Sequence, residues 1–126
     1  MDFRTPLARV RGLGSARDGT ERFIAQRMTA IALVPLLIWF VASIVSLVGA
    51  DYATVKEWVS TPFVTVLLLL LLGAVFYHAQ IGLHEVFEDY LHSDLVKTTA
   101  MVLMKFTITT LGLFSALAVL RIALGG

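Results

Sequence analysis

Residues 62–90 read PFVTVLLLLLLGAVFYHAQIGLHEVFEDY. Proline at the front suits a first helical turn, where its missing N–H has no partner to lose. The apolar run behind it continues through IGL towards Glu88, long enough for a helix to cross a hydrocarbon layer of about 30 Å. Its last third then turns polar, with His78, His84, Glu85, Glu88 and Asp89. A membrane-crossing helix with a polar stripe near one end is therefore the element around which the rest is read.

Two further stretches flank it. Upstream, QRMTAIALVPLLIWFVASIVSLV at 26–48 carries one charge, Arg27, at its start. Pro35 inside it is expected to kink the helix, which a bilayer tolerates better than water does. Downstream, TTAMVLMKFTITTLGLFSALAVLRI at 98–122 forms the third span, with Lys105 and Arg121 near enough to its ends to snorkel. The segment 49–61 reads as a short polar loop with Trp58 suited to an interface, and 89–97 as a second loop. Thr107, Thr109, Thr110 and Ser115 are expected to back-bond to their own helix or to pack against neighbours.

Composition agrees. Of 126 residues, 58% are hydrophobic and 15% charged, and the mean hydropathy is +0.85. A soluble domain would be about half apolar and about a quarter charged. The fold class is an all-α membrane protein with three transmembrane helices, one unit behind an arm at 1–25 and filling 26–126. No cysteine is present, which excludes disulfides, thiolate metal sites and cysteine nucleophiles. A net charge of +1 gives no reason to expect nucleic acid.

The charge is unevenly placed. Arg4, Arg9, Arg11, Arg17, Arg22 and Arg27 precede or open span one, whereas the connecting loops carry only Lys56 and Lys97. The positive-inside rule puts the N-terminus in the cytoplasm and the C-terminus in the periplasm. The first span is too long for a signal-peptide core and lacks a clear small-x-small site, so it is expected to be retained. The arm, with Gly12, Gly14 and Gly19, reads as extended or partly ordered, its arginines meeting lipid headgroups or docking on a soluble partner.

His78 lies 11 residues before Asp89, about 16 Å along a helix axis, which places the imidazole in hydrocarbon. His78, Gly82, Glu85 and Asp89 share one face; His84 stands roughly 120° away, so the two histidines do not easily ligate one centre. Gly82 removes bulk beside the ring, which would suit a flat macrocycle or another helix. A buried neutral imidazole is a good axial ligand for haem iron, with the second ligand then supplied by a partner. It would equally serve as a hydrogen-bonding group to a neighbouring helix's carbonyl or hydroxyl. The Tyr90 hydroxyl can donate to a quinone carbonyl, with the adjacent Asp89 carboxylate orienting that hydroxyl or relaying protons, or the pair merely anchors the helix at an interface. Arg27 can pair with a haem propionate, or with headgroups.

The segment HAQIGLHEVFEDY at 78–90 resembles the signature of the small hydrophobic anchor subunit of succinate dehydrogenase, respiratory complex II. His78, Ala79, Gly82, Asp89 and Tyr90 match its His-Ala-x-x-Gly and Asp-Tyr elements, and QRMTAIAL at 26–33 matches its opening through Arg27. The resemblance implies half of a heterodimeric haem-binding helical bundle in the cell inner membrane. In it His78 is an axial ligand of haem b, shared with the cytochrome b anchor subunit. Arg27 lies near the haem propionates, Tyr90 donates to ubiquinone, and Asp89 is close by. The flavoprotein and iron–sulfur subunits, which oxidise succinate, dock on the cytoplasmic face. His84 and Glu85 are not consistent features of that pattern. The alternatives are the anchor of a fumarate reductase, and a transporter or channel subunit relaying protons along His78, Glu85 and Asp89.

Overall fold

The computed structural model describes residues 5–11 and 16–125. Arg4, Gly12 and Gly14 of the basic arm lie outside the described residues, as do the side chains of Arg9 and Arg17. Five helices follow in order: α1 (Pro6–Val10), α2 (Ala16–Ser46), α3 (Tyr52–Ser60), α4 (Pro62–Tyr90) and α5 (Asp94–Ala123). Three are long and apolar enough to cross a membrane: Gly19–Ser46 within α2, Pro62–Tyr90 and Asp94–Ala123. At 1.5 Å per residue each exceeds ~40 Å, so polar ends protrude on both sides of a ~30 Å hydrocarbon layer. The chain is a multi-pass, all-α membrane protein.

Several boundaries differ from the sequence reading. Helix α2 begins at Ala16, so part of the expected arm is helical, and it runs on through Pro35 to Ser46. Helix α5 begins at Asp94, four residues before Thr98, which leaves only residues 91–93 between the second and third spans. The segment 49–61 is not a polar loop: most of it is α3. Asp51 caps that helix, accepting from the Thr54 backbone N–H at 2.9 Å and from the Thr54 hydroxyl at 2.6 Å. Those two bonds, the hydroxyl first, hold the Asp51 carboxyl below its ordinary pKa.

Local rules set the corner between α3 and α4. A residue before proline is pushed out of the helical region, and Thr61 adopts φ −62°, ψ 122° ahead of Pro62. One non-helical residue thus ends α3 and opens α4. Thr65 Oγ1 then donates back to Val59 O at 2.7 Å, and Ser60 Oγ donates to Lys56 O at 2.7 Å while also lying 3.2 Å from Ile122 O. Gly49, at φ +82°, provides the left-handed turn that brings the chain out of α2.

The three long helices lie in a row. Helix α4 packs antiparallel against α2 on one side and α5 on the other, and the backbones of α2 and α5 do not approach one another among the described residues. Val59, Val64 and Leu68 form the core at the α3 end, covered by Trp39, Phe40, Trp58, Val119 and Ile122. Gly112 faces the Phe76 ring, where an added Cβ would sit 3.5 Å from the ring carbons. Small residues permit this close helix approach where lipid offers no hydrophobic drive for association. Outward-facing Ile31, Ile38 and Val41 on α2, and Phe106, Leu113 and Phe114 on α5, are exposed apolar surface for lipid or further helices. Ser115 Oγ donates to Leu111 O at 2.8 Å, the back-bond expected of it.

Candidate functional site

Polar residues of α4 meet α2 in an antiparallel register. His78 Nδ1 lies 2.9 Å from Thr29 Oγ1. One turn on, Gly82 faces Gln26, whose Nε2 would sit 3.8 Å from a Cβ built at the glycine. A further turn on, Glu85 Oε1 lies 3.7 Å from Arg22 Nη1. Thr29, Gln26 and Arg22 step down one face of α2 as His78, Gly82 and Glu85 step along the facing side of α4, so the sequence stripe is matched by a second one.

His78 is half-buried at this seam. Thr29 Oγ1 also lies 2.9 Å from Ala25 O and 3.0 Å from Gln26 O, the back-bonding usual for a helical threonine. The Nε2 atom of His78 has no protein partner among the described residues. Gln26 Oε1 is buried and accepts no hydrogen bond from the described residues. Thr29 and Gln26 escaped the sequence reading; their signal is two polar side chains three apart near the start of an apolar span.

Two grooves flank the α2–α4 seam. One is lined by Gly19, Arg22, Phe23, Gln26, Ile81 and Glu85. The other is lined by Glu21, Arg22, Ala25, Tyr77, His84 and Glu88. Of these two grooves His84 lines one and Glu85 the other, as their angular separation on the helix allows. Its Nε2 lies 3.7 Å from Glu88 Oε1, and Lys97 Nζ reaches Glu88 Oε2 at 3.5 Å. Glu88 thus ties the end of α4 across the turn to α5.

The remaining candidates sit apart from the imidazole. Arg27 is exposed, with its guanidinium 5.2 Å from the centroid of the Phe23 ring one turn earlier on α2. It lies two residues from Thr29, so its backbone is close to the level of His78. Asp89 and Tyr90 end α4, both exposed, Tyr90 at 76%. They stand about 17 Å along the axis from His78. Among the described residues no three His, Cys, Asp or Glu side chains gather as a metal-ion cluster.

Residues 1–112 match the family described as succinate dehydrogenase/fumarate reductase transmembrane subunit. The chain is 29% identical over 114 residues to a succinate dehydrogenase hydrophobic membrane anchor subunit of Rickettsia bellii, covering 90% of this chain and 91% of that one. It is 28% identical over 115 residues to the protein of the same description from Rickettsia conorii, again over 90% and 91%.

Proposed function

The chain belongs to the succinate dehydrogenase/fumarate reductase transmembrane subunit family, and from that premise we propose that it is the hydrophobic membrane anchor of a succinate:quinone oxidoreductase. It holds the flavoprotein and iron–sulfur subunits on the membrane and shares haem b and ubiquinone with a cytochrome b anchor subunit. The family match along residues 1–112 is the observation that carries this reading. The name of the family covers both directions of the reaction, and the names of the relatives favour succinate oxidation over fumarate reduction.

The residues present fit a haem. Iron in a haem needs an axial protein ligand rather than a cluster of side chains, and His78 offers one nitrogen without a protein partner. The second ligand would come from the cytochrome b anchor subunit. A haem held there would supply a one-electron carrier within the membrane. Arg27, exposed and backed by Phe23, is available to pair with a propionate. Tyr90 donates its hydroxyl to a quinone carbonyl, and Asp89 beside it orients that hydroxyl or passes a proton.

The arginines ahead of span one favour a cytoplasmic N-terminus in the cell inner membrane, with the C-terminus periplasmic. That orientation sets Asp89 and Tyr90 on the cytoplasmic side, where the soluble subunits dock. The family match gives no support to a proton-relay transporter.

The test is a dithionite-reduced minus oxidised spectrum of the complex purified through a tag on this chain, beside its His78→Ala variant. A b-type spectrum with two large soluble partners, lost in the variant, is expected. A complex that holds all its subunits but shows no b-type bands overturns the haem assignment.

A further inference from the structure

We propose that Thr29 is the positioning residue of His78: its hydroxyl oxygen accepts the Nδ1 proton and so fixes the tautomer whose Nε2 carries the free lone pair. This rests on the reading of His78 as a haem ligand and adds to it a residue from another helix.

The argument is one of proton counting. A threonine hydroxyl has one proton to give and lone pairs to receive with. Three groups surround Oγ1 at hydrogen-bond distance: Ala25 O at 2.9 Å, Gln26 O at 3.0 Å and His78 Nδ1 at 2.9 Å. The two carbonyl oxygens can only accept. If the proton pointed at Nδ1, Oγ1 would face both carbonyls with no hydrogen between them, and a half-buried site screens that repulsion poorly. With the proton shared by the carbonyls, a lone pair is left for the ring, and Nδ1 must be the donor. A neutral imidazole has only one N–H, so Nε2 is then unprotonated and free to bind a metal.

The same contacts hold the ring still. Thr29 is β-branched and tied to its own helix, so the acceptor stays fixed at the level of His78. A ligating imidazole in general donates its other N–H to such an acceptor, which sets ring orientation and raises basicity. Helix α2 thus acts on the ligand borne by α4 without touching the metal.

The experiment compares purified complexes bearing wild-type chain, Thr29→Val, Thr29→Ser and His78→Ala. Valine keeps the shape and removes the acceptor; serine keeps the acceptor. Thr29→Val is expected to weaken haem retention by about 10–100-fold and to raise the haem midpoint potential, with Thr29→Ser restoring both. Wild-type retention and potential in Thr29→Val overturn the proposal. If His78→Ala keeps the wild-type b-type spectrum, the ligand assignment itself falls; if it loses the spectrum while Thr29→Val is unaffected, only the role of Thr29 falls. Should Thr29→Val fail to assemble, pulsed EPR of the unmodified complex labelled with 15N-histidine decides. Ligation through Nε2 with a hydrogen-bonded proton on Nδ1 supports the proposal, and ligation through Nδ1 or a Nδ1 without that proton overturns it.

Discussion

The indole rings of Trp39 and Trp58 stack with centroids 5.9 Å apart and planes at 24°. They fasten α2 to α3 at the end of the molecule away from the polar stripe. The backbones of α2 and α5 do not approach one another among the described residues, so this stack adds to the α2–α4 seam in holding the first span in the row.

Replacing Trp58 with alanine should therefore loosen the α3 end. An offset aromatic pair adds about 0.5–1.5 kcal/mol beyond area burial, and Trp58 is only partly buried, so a loss of roughly 1–3 kcal/mol is expected. Thermal unfolding of the detergent-solubilised complex measures it, with Trp58→Phe retaining part of the difference. Equal stability in all three proteins would mean the stack contributes nothing.

Asp51 gives the same corner a pH dependence. Its carboxyl is held below the ordinary value of 3.8 by the Thr54 hydroxyl and backbone N–H. A carboxylate with a folded pKa below its unfolded one stabilises the fold above the unfolded value, and this is lost as pH falls through the folded value. The contribution is thus complete above about pH 5 and fades below about pH 4. Asp51→Asn keeps a side-chain oxygen for the cap but does not titrate. Between pH ~5 and ~2 the wild type should lose stability relative to this variant, read from tryptophan fluorescence during unfolding. Parallel acid curves would rule Asp51 out as the source.

The corner also shows where sequence reading stopped. The three spans were legible because about 20 apolar residues in succession have few other uses. Helix α3 was not, since nine residues offer too little periodicity; yet Asp51 as a cap, then Tyr52, Val55 and Val59 at helical spacing, were there to be read. The stripe on α4 was visible for a similar reason, its members lying on one helix. Thr29 was not, because opposing His78 to it requires the register between two helices, 49 residues apart in sequence. A single helical wheel carries no such information.

Gly82 tests whether the seam or an outside group needs its small size. An added Cβ would meet only Gln26 Nε2, at an ordinary 3.8 Å, so Gly82→Ala should leave α2 and α4 packed as they are. Its effect on stability should stay within ~0.5 kcal/mol or favour the helix slightly. Gly82→Phe, by contrast, carries a ring towards Gln26 of the facing helix beside His78 and should reduce haem content, with assembly of the subunit measured alongside. Full haem content in Gly82→Phe would show that the macrocycle lies elsewhere.

Tyr90 carries the sharpest prediction for quinone chemistry. It ends α4 at 76% exposure, where its hydroxyl is open to a molecule entering from the bilayer or from between subunits. Tyr90→Phe removes a single donor and keeps the ring, so anchoring at the interface should survive. Quinone reduction should fall about tenfold or more, as when a donor aimed at a developing oxygen is removed. Succinate oxidation by an artificial acceptor should be unchanged, because that electron path ends before the membrane. If both activities are unchanged, Tyr90 does not bind quinone; if both fall together, its role is in assembly rather than in the quinone site.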